Sequence, residues 1–131
     1  MDRFETQPTQ VLAAVIERQG RFLLCRRPPR KRHGDLWEFP GGKIETDETL
    51  SQAAARELKE ELCLTVRSVG EVLLKVPDPA SGFVICFTIV EAEGEPVLLE
   101  HTELAWVPRS GLLALDLAPS DLAFCRHLMT L

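Results

Sequence analysis

The stretch Gly41-Gly42-Lys43-Ile44-Glu45 and, shortly after it, the stretch Arg56-Glu57-Leu58-Lys59-Glu60-Glu61 decide the fold of this chain. The paired glycines allow the backbone to take positive φ and to approach a ligand closely. The second stretch holds three carboxylates and one guanidinium within six positions. A tight turn that leads into a charged helix is the outline of a cation site.

The helix itself is predicted from local signals. Thr49, followed three residues later by Gln52, forms a capping box, so a helix is expected to begin there and to run through Leu62. Ala54 and Leu58 fall on one apolar side together with Leu62, and this side is expected to pack against a sheet.

The three glutamates of this helix stand at positions i, i+3 and i+4, namely Glu57, Glu60 and Glu61. Such spacing places their carboxylates along one edge, where each like-charged pair costs about 0.2–0.5 kcal/mol. Hard divalent ions prefer oxygen ligands, so the arrangement suits Mg²⁺ or Mn²⁺. The alternative is an acidic, solvated helix face with Lys59 as its partner.

Glu48 lies eight residues before Arg56 and can bind its guanidinium in a bidentate pair, which would tie the loop to the helix. With these two residues included, the chain resembles the Nudix hydrolases. Their signature is Gly, five residues, Glu, seven residues, then Arg-Glu-aliphatic-x-Glu-Glu-x-Gly-aliphatic. The matching positions are Gly42, Glu48, Arg56, Glu57, Leu58, Glu60, Glu61 and Leu64. Cys63 stands where the family has glycine, after the helix, so it is expected to add some strain but to remove no ligand.

The resemblance extends beyond this motif to the MutT-type branch of the family, through the stretch 36–45 and the tail from Glu100 to Asp121. It implies Mg²⁺-dependent or Mn²⁺-dependent hydrolysis of a nucleoside triphosphate to the monophosphate and pyrophosphate. By the same resemblance, the metal ligands are the Gly41 carbonyl and the carboxylates of Glu57, Glu60, Glu61 and Glu100. Glu57, Glu60 and Glu61 are thus the catalytic residues, and Glu57 is our first choice for orienting or deprotonating the water. Arg56 and Glu48 form a structural brace.

By the same resemblance, substrate binding is expected at four positions, namely Arg27, Gly42, Lys43 and Asp121. An ionised carboxylate at position 121 only accepts hydrogen bonds, whereas an amide also donates. Asp121 therefore suits a base with an amino group, such as cytosine, and its surroundings resemble the CTP-type enzymes of the branch, whereas the 8-oxo-dGTP enzymes of the branch can carry asparagine at this position. The alternative for Asp121 is an acid favoured by a helix dipole. His101, beside Glu100, is interpreted as a polar loop residue.

Length and composition set the outer bounds. The 131 residues, 45% apolar and 27% charged, predict a single domain over residues 1–131. The net charge of −5 argues against binding a nucleic-acid polymer. The segment Met1 to Gln10 is polar, and the chain lacks a long apolar run. We therefore expect neither secretion nor membrane insertion. Four scattered cysteines are expected to be reduced core residues of a cytoplasmic protein; they are Cys25, Cys63, Cys86 and Cys125.

Strand-like and helical segments alternate irregularly along the chain, which predicts an α/β class fold. We expect an α/β/α sandwich around a mixed sheet, with the loop-helix-loop motif on it, as in the Nudix fold. The predicted strands are 11–17 and 21–27, paired as a hairpin, then 36–39, 64–76, 83–92 and 104–107. A closing helix is predicted from Pro119 to Leu131, with Ser120 as its N-cap. Residues 28–35 are expected to form a basic loop that is either solvated or directed toward substrate phosphates.

Three functions remain open from the sequence. The favoured one is a triphosphate pyrophosphohydrolase that cleans the nucleotide pool or acts on a pyrimidine nucleotide, as a monomer or a homodimer. A second is a hydrolase of a nucleoside diphosphate linked to another group, such as ADP-ribose. A third is a non-catalytic domain that senses a base, which would not need Glu57, Glu60 and Glu61 together.

Overall fold

The structure is a computed structural model and describes residues 7–131. The first six residues of the predicted polar segment Met1 to Gln10 lie outside the described residues. Within the described range the chain forms eight strands, two α-helices and one 3-10 helix. The strands are β1 (Gln10–Val15), β2 (Glu17–Arg18), β3 (Arg21–Arg26), β4 (Trp37–Glu38), β5 (Gly41–Lys43), β6 (Thr65–Pro77), β7 (Val84–Glu93) and β8 (Glu103–Pro108). The helices are α1 (Leu50–Leu62) and α2 (Pro119–Leu128), and the 3-10 helix is Arg109–Ala114.

The strands form two sheets. The first is mixed and has the order β5-β1-β7-β6, in which β1 and β7 are parallel and the other neighbours are antiparallel. In the second sheet β3 pairs with β2, β4 and β8, all antiparallel. The predicted mixed sheet is confirmed, and the second sheet adds to it.

Two apolar clusters give the sandwich its layers. Because side chains alternate along a strand, β1 sends Ala13 and Val15 to one cluster and Leu12 to the other. The first cluster is closed by α2, through Phe124, and the second by α1, through Leu58. The helices therefore cover opposite faces, as the predicted α/β/α sandwich requires.

Helix α1 begins as the sequence predicts. The Thr49 hydroxyl accepts a hydrogen bond from the Gln52 amide at 3.1 Å, and the Gln52 side chain accepts one from the Thr49 amide at 2.8 Å. The helix ends at Leu62, and Cys63 follows in the left-handed region at φ 59°. The Cys63 amide donates to the Lys59 carbonyl at 3.1 Å, which closes the last turn.

Three local predictions are wrong. The predicted hairpin is confined to β2 and the start of β3. The preceding strand β1 ends at Val15 and pairs with β5 and β7, so it belongs to the first sheet and not to the hairpin. Helix α2 has Ala118 rather than Ser120 at its N-cap, since Pro119 already occupies the first helical position. It ends at Leu128 rather than at Leu131, and Met129 is its C-cap.

Cys63 is exposed, so the prediction of a core residue is wrong for this cysteine, whereas the other three are buried and all four are free. It is the C-terminal cap of α1, and its side chain consequently points away from the core. No helix within residues 7–131 is long and apolar enough to cross a membrane.

Candidate active site

The paired glycines begin the edge strand β5, so the predicted glycine turn is wrong, and β5 is held against β1 of the mixed sheet. The Ala14 amide donates to the Pro40 carbonyl at 2.7 Å, and β5 pairs with β1 so that Gly41 lies opposite Ala13. A β-carbon on Gly41 would collide with the Leu12 carbonyl oxygen. Only glycine therefore allows the start of β5 to lie so close to β1.

Gly42 is needed for a different reason, since it lies beneath the Glu57 carboxylate. A β-carbon on Gly42 would stand 2.5 Å from both carboxylate oxygens of Glu57. The glycine thus leaves the space in which the first glutamate of the motif is seated.

Arg56 connects the loop to the helix. Its Nε and Nη2 donate to the two carboxylate oxygens of Glu48 at 2.7 and 2.8 Å, and Nη2 also donates to the Lys43 carbonyl at 3.0 Å. Its Nη1 donates to Glu57 Oε1 at 2.8 Å. The guanidinium lowers the pKa of the Glu48 carboxyl to about 2, mainly through this bidentate pair, with help from the Glu45 amide.

A cleft of about 150 Å³ opens beside α1 and brings several predicted residues together. It is lined by the Gly41 backbone, by the carboxylates of Glu57, Glu61 and Glu100, and by Arg27. Glu60 does not line this cleft. Its side chain is 56% exposed, and one oxygen lies 3.6 Å from Arg56 Nη1. The predicted single edge of three carboxylates is therefore split, with Glu61 turned inward and Glu60 outward.

Glu61 is the buried carboxyl of the group, with 5% of its side chain exposed. Burial raises its pKa, and the neighbouring carboxyl of Glu57 raises it further, followed by the charges of Glu38 and Glu100. Placing a negative charge here is costly without a cation, so the site is built for positive charge to enter.

Glu100 reaches the cleft because the loop between β7 and β8 is tied to the end of α1. The Leu99 amide donates to the Glu61 carbonyl at 3.2 Å, and the Val97 amide donates to the Leu62 carbonyl at 2.8 Å. These bonds satisfy helix carbonyls that would otherwise lack a partner, and they set Glu100 in register with Glu61.

Two functional candidates escaped the sequence reasoning. Glu38, at the end of β4, places one carboxylate oxygen 2.9 Å from Arg27 Nη1 and the other 2.9 Å from His101 Nε2. The His101 side chain is only 5% exposed, and its Nδ1 lies 3.7 Å from Glu61 Oε1. His101 lies in the loop before β8, as predicted, but it also lines the carboxylate cleft. An acidic residue between the two aromatic residues of the stretch 36–39 is the sequence signal for Glu38.

The residues fit a divalent cation. His101 Nδ1 is a buried polar atom with no hydrogen-bond partner, and it faces the carboxylate of Glu61 in a cleft that also holds Glu57. Within residues 7–131 no three acidic, His or Cys side chains converge as closely as a filled metal centre requires. The pairing of Glu57 with Arg56 explains this spread, because it draws one of the carboxylate oxygens toward the guanidinium.

A second cleft, of about 290 Å³, adjoins the first and shares Arg27 and Glu38 with it. Gly42, Lys43 and Asp121 line it, so all four predicted substrate-binding residues are found here. Lys43 Nζ stands 5.0 Å from the centre of the Phe83 ring, which forms an apolar part of the wall.

Asp121 belongs to the first turn of α2 and is buried. Its Oδ1 accepts a hydrogen bond from the Phe39 amide at 2.9 Å, which joins α2 to the segment that carries Glu38. Burial raises the pKa of this carboxyl well above its ordinary range, and the charge of Glu38 adds to the effect. One oxygen of Asp121 is therefore structural, and only the other remains for a ligand.

The basic loop 28–35 forms one rim of both clefts. Arg27 Nε donates to the Arg32 carbonyl at 2.7 Å, and the Arg27 carbonyl accepts from the Asp35 amide at 3.0 Å. Lys31 lines the carboxylate cleft and Arg32 lines the larger one. The loop thus turns part of its charge toward the site, as one of the two predicted alternatives has it.

A larger hollow, of about 650 Å³, lies at the far end of β1, near Arg18 and Leu128. Its guanidiniums are used for structure: Arg18 donates to the carbonyls of Ala92 and Gly94, and Arg109 donates to the carbonyl of Leu128. We therefore place the chemistry at the two smaller clefts, where carboxylates, guanidinium and backbone converge.

Comparison with known proteins agrees with this geometry. Residues 6–128 match the NUDIX domain family. A CTP pyrophosphohydrolase of Escherichia coli (strain K12) is 38% identical over 125 residues, which cover 93% of this chain and 92% of that protein. An 8-oxo-dGTP diphosphatase of the same organism is 34% identical over 116 residues, covering 86% and 89%. The solution structure of the E. coli ORF135 protein has a TM-score of 0.80 at 36% identity, covering 95% of this chain and 90% of the other.

Fold and site together define an α/β enzyme, a hydrolase whose loop and helix carry a carboxylate cleft. The chain belongs to the NUDIX family. The resemblance read from the motif and the predicted fold class are both confirmed. Enzymes of this family generally use divalent metal ions.

Proposed function

We propose that this Nudix hydrolase cleaves a nucleoside or deoxynucleoside triphosphate to the monophosphate and pyrophosphate, with Mg²⁺ or Mn²⁺. The observation that carries the proposal is the junction of the two clefts. A carboxylate-lined cleft of about 150 Å³ adjoins a partly apolar one of about 290 Å³, and Arg27 and Glu38 line both. A substrate with a phosphate chain and an aromatic base has the matching division into two parts.

The groups that would hold the cation are the Gly41 carbonyl and the carboxylates of Glu57, Glu61 and Glu100, which line the smaller cleft. Glu60 would join them by rotating inward from its solvent-facing position beside Arg56. A bound divalent ion supplies neutralisation of the phosphate oxygens and lowers the pKa of a water molecule.

The chain's own residues supply position and proton transfer. Glu57 is seated over Gly42 and fixed by Arg56, so we propose that its free oxygen orients the attacking water and accepts a proton from it. Arg27 and Lys31, on the basic rim of the cleft, would receive the charge of the phosphate chain.

The base is proposed to enter the larger cleft beside Phe83 and Asp121. One oxygen of the Asp121 carboxyl is bonded to the Phe39 amide, and the other remains to hydrogen-bond a polar group of the base. The names of the two relatives, which mention CTP and 8-oxo-dGTP, give the two leading substrate types. We favour a cytosine nucleotide, and nucleotide-pool sanitation through an oxidised purine is the other choice.

The test is pyrophosphate release from a panel of canonical and oxidised nucleoside triphosphates, each with Mg²⁺, Mn²⁺ or EDTA. Metal-dependent release with one base preferred is the expected result. Glu57→Gln should abolish turnover in a folded protein, whereas Glu71→Gln on the exposed face of β6 serves as the matched control. Asp121→Asn should reorder the preferred bases more than it changes the metal dependence.

If the folded protein released no pyrophosphate from any triphosphate of the panel, the triphosphate proposal would be refuted. Cleavage of ADP-ribose or a similar linked diphosphate would then identify that class as the substrate of the site. Binding of a base without any cleavage would indicate a sensing domain. A cytoplasmic location is proposed with the function, because all four cysteines are free thiols. A monomer or homodimer acting on a small nucleotide, and not on a nucleic-acid polymer, completes the proposal.

A further inference from the structure

The His101 ring is held at one nitrogen and unpaired at the other. Nε2 lies 2.9 Å from Glu38 Oε2, while Nδ1 is buried and has no hydrogen-bond partner. Only 5% of the side chain is exposed. A buried polar atom without a partner is rare in folded proteins, and it requires an explanation in terms of what it binds.

The partners of Glu38 determine which ring nitrogen carries the hydrogen. The Glu38 carboxylate accepts from Arg27 Nη1 at 2.9 Å through its other oxygen, and a carboxylate so engaged acts as an acceptor on both sides. His101 Nε2 must then be the donor of the 2.9 Å contact. In the neutral ring this leaves a lone pair on Nδ1, which faces Glu61 Oε1 across 3.7 Å.

The two atoms face each other with no hydrogen bond between them, and a positive centre placed between them would satisfy both. We infer that His101 Nδ1 is a nitrogen ligand of the divalent cation held by Glu61, and that Glu38 is the positioning residue that orients the ring. The inference rests on the proposed cation site. A carboxylate that accepts from the distal nitrogen of a metal-bound histidine is a common arrangement, in which it fixes the ring and raises the basicity of the ligand.

The separation of the two atoms agrees with one shared ion. Ligand atoms at about 2.1 Å from an octahedral ion lie about 3.0 Å apart when adjacent and about 4.2 Å apart when opposite. The observed 3.7 Å between Nδ1 and Oε1 falls between these limits. A small rotation of either side chain would therefore complete the pair.

A nitrogen ligand changes which ion the site prefers. Mg²⁺ and Ca²⁺ favour oxygen ligands, whereas the first-row transition ions accept imidazole nitrogen and bind such sites more tightly along the series from Mn²⁺ to Co²⁺. His101 is thus expected to raise the affinity for Mn²⁺ and Co²⁺ relative to Mg²⁺. The carboxylate ligands would bind all three ions, so only the nitrogen ligand distinguishes them.

The competing arrangement is a charged ring that bridges Glu38 and Glu61 and contacts no metal. It uses the same two distances, 2.9 and 3.7 Å. It differs in one measurable respect, because a bridging imidazolium leaves the ratio of the Mn²⁺ and Mg²⁺ affinities unchanged when the ring is removed.

The deciding experiment is metal binding without substrate, measured by calorimetry with Mn²⁺, Co²⁺ and Mg²⁺. His101→Ala should weaken Mn²⁺ and Co²⁺ by about 10–100-fold, the usual range for the shells of a metal site, and Mg²⁺ distinctly less. Glu38→Gln should weaken Mn²⁺ and Co²⁺ in the same direction. His127→Ala, in α2 and outside both clefts, is the matched control and should leave all three affinities unchanged.

Pulsed electron paramagnetic resonance of the Mn²⁺-loaded wild-type protein detects a nitrogen ligand directly and needs no variant. Modulation of the echo by a directly bound nitrogen is expected, and its absence in a protein that binds Mn²⁺ would overturn the inference. An unchanged affinity ratio in folded His101→Ala would overturn it as well. Metal binding with this nitrogen signature but without pyrophosphate release would contradict the proposed function alone, so the two failures are separable.

Discussion

The Glu57 carboxylate occupies the space of the side chain that Gly42 lacks, with both oxygens 2.5 Å from the position of a β-carbon. Residues fifteen positions apart, from residue 42 to residue 57, are therefore fitted to each other directly. Gly42 of β5 and Glu57 of α1 therefore constrain each other sterically, since a larger residue at position 42 would displace the carboxylate.

Gly42→Ala should displace the Glu57 carboxylate while leaving the fold intact. We expect kcat to fall by about 100-fold, because a displacement on the order of 1 Å at a reacting group costs about that much. Steady-state kinetics of pyrophosphate release and a thermal unfolding curve are the measurements. Gly111→Ala, in the 3-10 helix, is the control, since its β-carbon would find contacts no shorter than 3.3 Å. Wild-type kcat in Gly42→Ala would contradict the steric reading.

Glu48→Gln should destabilise the protein in a pH-dependent way. Arg56 lowers the pKa of the Glu48 carboxyl to about 2, so the stabilisation is present above the ordinary pKa of a glutamate and is lost as the pH falls toward 2. The wild type should therefore be more stable than the variant at neutral pH, and the difference should shrink below about pH 4. Urea unfolding at several pH values measures it.

The control for this experiment is Glu93→Gln. Glu93 also pairs with an arginine, Arg67, at 3.1 Å, but both side chains are more than half exposed, so little stability should be lost. A Glu48→Gln deficit that stays constant from neutral pH to the acid end would show that the lost contact is not the charged pair.

Asp121→Asn should stabilise the fold as the pH rises. The pKa of the buried Asp121 carboxyl is raised, so folding favours its protonated form, and ionisation opposes folding above the ordinary pKa of an aspartate. An asparagine keeps an oxygen to accept from the Phe39 amide and carries no charge. The unfolding free energy of the variant relative to the wild type should increase from about pH 4 toward neutral pH. A difference that falls over this range would contradict the assignment.

Cys63→Gly should raise the unfolding free energy by about 0.5–1 kcal/mol. Cys63 sits in the left-handed region at φ 59° and ψ 28°, which is costly for a residue with a β-carbon and cheap for glycine. A gain of roughly 2–5 °C in the melting temperature is expected for a domain of this size. Cys63→Ala retains the β-carbon and should give no such gain, which separates the backbone effect from the loss of the thiol.

Local features of the fold were predictable from the sequence because they depend on neighbours along the chain. The capping box of α1, its end at Leu62 and the strand β6 all follow from patterns within a few residues. The division of the first strands between two sheets was not predictable in this way. It depends on the pairing of β1 with β7, more than seventy residues further on, and no short-range pattern encodes that choice.

The site shows the same division. The proximity of Glu57, Glu61 and Arg56 follows from helix geometry, which a sequence displays. The contact between Glu38 and His101 joins residues 63 positions apart, and neither residue belongs to the helix. The Glu60 side chain points outward, where it is exposed to solvent and lies near Arg56. The spacing in the sequence does not show which of the three glutamates faces the cleft.

The two hydrogen bonds from Val97 and Leu99 to the last carbonyls of α1 have a consequence for how the site opens. Fraying of the helix end would break both bonds at once and would release Glu100 from its register with Glu61. Glu61 and Glu100 of the carboxylate cleft therefore form a cooperative unit that opens as a whole, and the amides of Val97 and Leu99 should exchange with deuterium at the rate of the helix end. A loop that looks peripheral is, in its energetics, the last turn of the helix.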